Sequence, residues 1–219
     1  MLPVRWQTAA VGFPLAVGLL GAGRCVHASD VERADGVYGR LDGDTVFSLE
    51  AGGGVVGGTT VAPGLAGTLR ARHLDMAGAF LGYERASAPT RFDALSFGVD
   101  LRPLVFARIF SDWEHGPATL DLLVDSIGLE MGAAWLRPGD PWGSGSGLAW
   151  VLGTGVDVPC AWSRGTGLAV RVAVRWYHAE GWDAQSPRAG VVADDTVTLS
   201  VLLVGRTVAR VGTVPSGSR

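Results

Sequence analysis

From Thr45 onward, apolar and polar positions alternate with a period of two, interrupted at intervals by Gly, Pro and Asp. Residues 168 to 176, LAVRVAVRW, show the pattern most plainly. In an extended chain Leu168, Val170, Val172, Val174 and Trp176 share one face, and Ala169, Arg171, Ala173 and Arg175 the other. TVFSLEAGGGV sets Phe47, Leu49, Ala51 and Val55 against Val46, Ser48, Glu50 and Gly52. APGLAGTLRARH opposes Leu65, Leu69 and Ala71 to Thr68, Arg70 and Arg72, and MAGAFLGYER is strand-like without a clear phase. RFDALSFGVDLR sets Leu95, Phe97, Val99 and Leu101 against Ser96, Gly98, Asp100 and Arg102. GLAWVLGTGVDV opposes Leu148, Trp150, Leu152 and Val156 to Ala149, Gly153, Gly155 and Asp157. DTVTLSVLLVGR opposes Val197, Leu199, Val201 and Leu203 to Thr196, Thr198, Ser200 and Arg206. Each reads as a β-strand.

The segment from 118 to 136, ATLDLLVDSIGLEMGAAWL, fits two templates. As a helix it aligns Leu120, Leu123, Val124, Ile127, Met131, Ala134 and Trp135. As a strand it runs Leu120, Leu122 and Val124, then changes phase at a bulge near Asp125 or Ser126 to Ile127, Leu129, Met131, Ala133 and Trp135. Closure favours the strand, because an up-and-down antiparallel barrel joins its ends comfortably only with an even count. The expected fold is therefore all-β: an antiparallel up-and-down transmembrane β-barrel of eight strands. The links agree with two unlike ends. Those at 72–75 and 160–166 are short or moderate, and RPGDPWGSGSG and EGWDAQSPRAGVVADD are long, with SDWEHGPA an exception on the short side.

Alternation alone leaves three architectures: a membrane barrel with its apolar face outside, a soluble lipocalin-like barrel with it inside, and a two-sheet sandwich. The second face distinguishes them. It consists of Gly, Ala, Ser and Thr with scattered Arg, Asp and Glu, which suits a crowded lumen better than a solvated exterior. Turning Arg171 and Arg175 to lipid would cost roughly 2 to 4 kcal/mol each near the midplane. The expected lipid-facing set is Phe47, Leu49, Leu95, Phe97, Val99, Trp150, Val170, Val172, Val174, Trp176, Leu199 and Val201. The expected lumen charges are Glu50, Arg70, Arg72, Asp100, Arg102, Asp121, Asp157, Arg171, Arg175 and Arg206. An interior this narrow is just filled by side chains, so these charges read as a plug of ion pairs before a pore.

Composition sharpens the setting. A mean hydropathy of +0.27 is apolar for a soluble domain, yet past the N-terminus no apolar run is long enough for a spanning helix. The net charge of -3 excludes a basic nucleic-acid surface. There is no Lys and no Asn, so left-handed turn positions fall to Gly and Asp, which would absorb many of the 33 glycines. Arg5, an apolar stretch from Thr8 to Gly23 and Val26-His27-Ala28 predict a signal peptide over 1–28, cleaved after Ala28. Acylation of Cys25 is disfavoured by Arg24 beside it. Cleavage leaves Cys160 without a disulfide partner. The expected division is a periplasmic segment over 29–43, the barrel over 44–210 and a tail over 211–219. Exported strands of this kind place the chain in the outer membrane, since helices populate the inner one.

DGVYGRLDGD, SLEAGGGV and VDLRPL, set in this strand pattern, resemble small outer-membrane β-barrel proteins of Gram-negative bacteria, in particular uncharacterised barrels of myxobacterial type. The resemblance runs from about Asp35 to Arg210. Many such proteins end on a strand with a terminal aromatic residue, whereas this one ends in RTVARVGTVPSGSR. The resemblance implies partners in outer-membrane lipid, lipopolysaccharide and the barrel-assembly machinery, with a possible extracellular ligand at the loops 137–147 and 180–195.

Chemical motifs are sparse. Gly52, Gly54 and Gly57 match GxGxxG with Asp75 downstream, but Pro63 stands where the dinucleotide fingerprint needs a helix. His178 is the one weak catalytic candidate, since outer-membrane lipid A deacylases pair a His with a nearby Ser and an acid; here Ala179 and Glu180 follow instead. His73 and His115 fall in predicted turns, and no spacing suits a metal. No cofactor is expected. Trp135, Trp142, Trp150, Trp162, Trp176 and Trp182 lie near predicted strand ends, as an interfacial girdle would. The readings are a structural or surface-interaction barrel, a lipid-modifying hydrolase using His178, and a soluble exported carrier of an apolar ligand.

Overall fold

The alternating segments close on themselves. The computed structural model describes residues 45–57, 61–87, 92–105, 107, 123–138, 147–162, 166–179 and 195–209. Within these lie β1 (Thr45–Gly57), β2 (Val61–His73), β3 (Ala77–Ala86), β4 (Phe92–Leu101), β5 (Gly128–Pro138), β6 (Gly147–Trp162), β7 (Thr166–His178) and β8 (Asp195–Ala209). Each strand pairs antiparallel with the next, and β8 pairs with β1, giving an eight-stranded closed barrel. The expected fold class holds. The 1–28 leader, the 29–43 segment, the 211–219 tail, Cys25, His115, Asp121, Trp142 and Trp182 lie outside the described residues.

Register fixes which face each residue takes. Ser48↔Arg70, Arg70↔Phe80, Asp100↔Glu130 and Asp157↔Arg171 pair across neighbouring strands, and all of them point inward. Side chains from Leu49, Leu65 and Trp150 are 66%, 71% and 62% exposed, while Arg171 is fully buried. The distribution is inverted relative to a soluble fold, in which charged residues are almost never fully buried unless paired.

The two ends of the barrel differ. The links at 74–76, 102–127 and 163–165 share the end at which β1 begins and β8 finishes. Those at 58–60, 87–91, 139–146 and 179–194 share the other, called here the loop end. In the tight turn between β2 and β3, Leu74 and Asp75 both take the left-handed conformation, at φ 51° and 56°, and the Met76 N–H donates to the His73 carbonyl at 3.0 Å.

The segment 118–136 departs from both templates. Leu123–Asp125 form a single helical turn, closed by N–H donations from Ser126 to Leu123 and from Ile127 to Val124, and the strand begins only at Gly128. No bulge continues it upstream. β4 gives way to a helical turn at Pro103–Val105, so the chain before Leu129, the partner of Leu101, has no β4 ladder to join; Pro103 lacks the N–H a ladder would need. Leu129, Met131 and Trp135 nonetheless point outward, in the phase of the strand's second half. Beyond the start of β5, Ser126 Oγ takes over as partner of β6, accepting the Asp157 backbone N–H at 2.9 Å. β6 carries a bulge between Pro159 and Ala161, where a proline is tolerated.

Candidate functional site

The interior is where the chain's polar chemistry gathers, and each strand supplies it by the same rule: the residue between two outward apolar side chains points in. Arg70, between Leu69 and Ala71 on β2, lies 3.0 Å from Glu50 on β1, 3.1 Å from Asp100 on β4 and 2.7 Å from Glu130 on β5. Glu130 also accepts from Arg171 at 3.0 Å and from Arg175 at 2.7 Å, both on β7. Arg175 reaches Glu84 at 2.6 Å and Thr68 at 3.0 Å, and Arg171 reaches Asp157 at 2.7 Å. Toward the end bearing the termini, Arg102 bridges Asp75 at 2.9 Å and Asp157 at 2.6 Å. Arg206 donates to Asp75 at 3.1 Å, and Arg72 to Asp100 at 2.7 Å.

Arg70, Arg72, Arg102, Arg171, Arg175 and Arg206 thus meet Glu50, Asp75, Glu84, Asp100, Glu130 and Asp157, six cations against six anions. The group is neutral and, apart from Arg206 and Asp157 at its margins, almost fully buried. Burying isolated charges costs several kcal/mol each, and pairing of this density offsets it. Space for the guanidinia comes from glycine. A Cβ on Gly155 would lie 2.7 Å from Arg171 Nε, and one on Gly153 3.0 Å from Arg175 Cγ. Gly153 and Gly155 thus line the lumen, on the face where the alternation puts them.

Nearer the loop end the interior turns apolar. Val56, Ala62, Phe80, Ala86, Ala94, Ala134, Leu136, Ala149, Val151, Tyr177 and Ala179 form one buried cluster. Phe80 joins the two halves, its ring within 5.7 Å of the Arg70 guanidinium and 5.6 Å of that of Arg175, a cation–π distance. The lumen is thus stoppered twice, by ion pairs and by packed side chains.

Of the expected lumen charges, Glu50, Arg70, Arg72, Asp100, Arg102, Asp157, Arg171, Arg175 and Arg206 meet here. Asp75, Glu84 and Glu130 join them unannounced. Glu130 stands between Leu129 and Met131, so phase would have found it, whereas Glu84 lies on β3, whose phase the sequence leaves open. Nothing in a turn sequence points Asp75 inward. Phe47, Leu49, Leu95, Phe97, Val99, Trp150, Val170, Val172, Val174, Trp176, Leu199 and Val201 all face outward, with Val170, Trp176 and Leu199 half-buried by neighbours. The lipocalin-like alternative needs that apolar face inside, whereas among the described residues it lies outside. Gly52 and Gly54 lie within β1, where a Cβ would strike the β8 backbone, so no phosphate loop forms there.

His178 sits on the outer surface at the loop end. Its Nδ1 lies 2.9 Å from Asp195 Oδ1, and its ring stacks on Trp176 at 5.3 Å. A base and an orienting acid are present, but no Ser, Thr or Cys contacts the imidazole among the described residues. Tyr83, Trp135, Trp150 and Trp176 share the loop-end half of the outer surface. Cys160 is exposed at the β6 bulge.

No protein-family model and no curated protein matches the chain. Among solved structures, Neisserial surface protein A is 14% identical with a TM-score of 0.45, the match covering 76% of this chain and 97% of that one. The N-terminal β-barrel domain of Pseudomonas aeruginosa OprF is 9% identical with a TM-score of 0.42, covering 75% and 98%. Ail, the attachment invasion locus protein of Yersinia pestis, is 11% identical with a TM-score of 0.35, covering 74% and 97%. None reaches the likeness from which a shared family would follow.

Proposed function

We propose that the chain is an outer-membrane barrel of structural or surface-interaction type, whose filled lumen serves as a rigid anchor for the links at its loop end. One observation carries the reading: large apolar side chains cover the outside while paired charges fill the inside. In water the outer belt would expose a continuous hydrophobic surface far larger than soluble monomers tolerate. In lipid the same belt is matched to its surroundings, and closure pairs every strand on both sides so that the barrel has no free edge strand. The neutral, doubly stoppered interior supports an anchor over a channel. Lipid and lipopolysaccharide would contact the belt, the barrel-assembly machinery would insert it, and any extracellular ligand would meet the links 139–146 and 179–194.

Fractionation of cells expressing the full chain tests this. Retention in the outer membrane after an alkaline carbonate wash is the expected result. Release into the wash would overturn the membrane reading. Removing residues 181–193 should then leave the barrel heat-resistant in detergent while abolishing any ligand or cell-binding activity.

A further inference from the structure

The outer surface carries one charged row with an unbalanced sign. On β3, β4 and β5, Arg85, Asp93 and Arg137 are directly opposed in register, Arg85↔Asp93 and Asp93↔Arg137, and all three point outward. Directly opposed side chains start about 5 Å apart, so the two guanidinia flank a single carboxylate. Arg85 Nε lies 3.6 Å from Asp93 Oδ1, and the Arg85 side chain remains 68% exposed. The Tyr83 hydroxyl donates to Asp93 at 3.1 Å and holds that carboxylate in place. Arg137 is exposed and makes no ion pair among the described residues. Two residues closer to the barrel's middle, Tyr83, Leu95 and Trp135 form the adjoining row, again in register. The arginines therefore stand one step above an aromatic and aliphatic belt, on its loop-end side.

We propose that Arg85 and Arg137 bind the phosphate of an outer-leaflet lipid headgroup, with Asp93 and Tyr83 as positioning residues and the Tyr83–Leu95–Trp135 row against the acyl chains. This rests on the membrane reading above and names one of its lipid partners. The chemistry matches at three levels. An excess cation is left after Asp93 is paired, Arg forks suit phosphate oxygens, and aromatic side chains mark the height at which headgroup phosphates lie.

The test uses the full-length barrel and the Arg85→Gln, Arg137→Gln double variant, each inserted into phosphatidylcholine nanodiscs doped with bis-phosphorylated lipid A. Retained lipid is counted by native mass spectrometry, and insertion is checked separately by resistance of the barrel to heat in detergent. Wild type should retain phosphorylated lipid A about tenfold more than the double variant, the loss expected when charge-assisted hydrogen bonds are removed. Dephosphorylated lipid A should be retained poorly by both. Equal retention of phosphorylated lipid by two well-inserted proteins would overturn the site and leave the barrel reading standing. Failure of wild type to insert would instead count against the barrel reading itself. Retention that ignores the phosphate would assign the contact to acyl chains alone and also sink the proposal.

Discussion

Glu130 shows what a single side chain does in this interior. It faces Arg70, Arg171 and Arg175 at 2.7 to 3.0 Å. Removing it leaves three buried guanidinia with fewer anions than they need. Breaking a buried pair from one side typically costs 3 to 5 kcal/mol, so Glu130→Ala should lower the unfolding free energy in detergent by about that amount, read as a lower urea midpoint at an unchanged slope. Glu130→Gln, which keeps acceptor capacity on one oxygen, should cost less. At the opposite extreme, Leu74 holds a left-handed φ of 51° that its Cβ opposes. Leu74→Gly should raise stability by about 1 kcal/mol, read in the same titration. A loss there would mean that the Leu74 side chain contributes packing worth more than the strain.

At the scale of the element, the barrel's strands were legible wherever outward residues were large and inward residues small or charged, as along β1, β4, β7 and β8. Legibility failed in two physical circumstances. Over 118–127 the apolar spacing served helix and strand equally, and the deciding fact, that β4 ends at Leu101 before Pro103 and leaves no partner on that side, belongs to another part of the chain. In β3, small residues on both faces hid the phase and with it Glu84. Pairings within the interior were also out of reach, since Arg175 and Thr68 meet through the folded barrel rather than through any local spacing. The outward face makes its own prediction: Val172→Arg, near the middle of β7, should destabilise the lipid-inserted barrel by about 2 to 4 kcal/mol, and the same change at Val61, at a strand end, by about 0 to 1 kcal/mol. Equal costs at the two depths would contradict a lipid surround.

For the whole molecule the proposed filling of the lumen is the governing feature. Ion pairs occupy the half near the termini and the middle, and Leu136, Val151 and Tyr177 close the loop end. Planar bilayers containing the protein should show no steady conductance. Asp75→Ala, which takes one carboxylate from Arg102 and from Arg206 at one mouth, should still not produce a channel, because the apolar stopper remains. Conductance in that variant would show that the ion pairs alone hold the lumen shut.

The span of the contacts around Asp75 also sets an order of events in time. Asp75 lies in the turn between β2 and β3, and one of its partners, Arg206, arrives on the last strand. Until β7 and β8 close the sheet, Glu84, Glu130 and Asp75 lack the partners those strands bring, and in a bilayer that inward face would meet hydrocarbon. Assembly strand by strand in bare lipid would thereby be penalised until the last strands join. On the proposed membrane reading, the chain should enter the bilayer late, nearly complete, and as slowly as such distant pairings require.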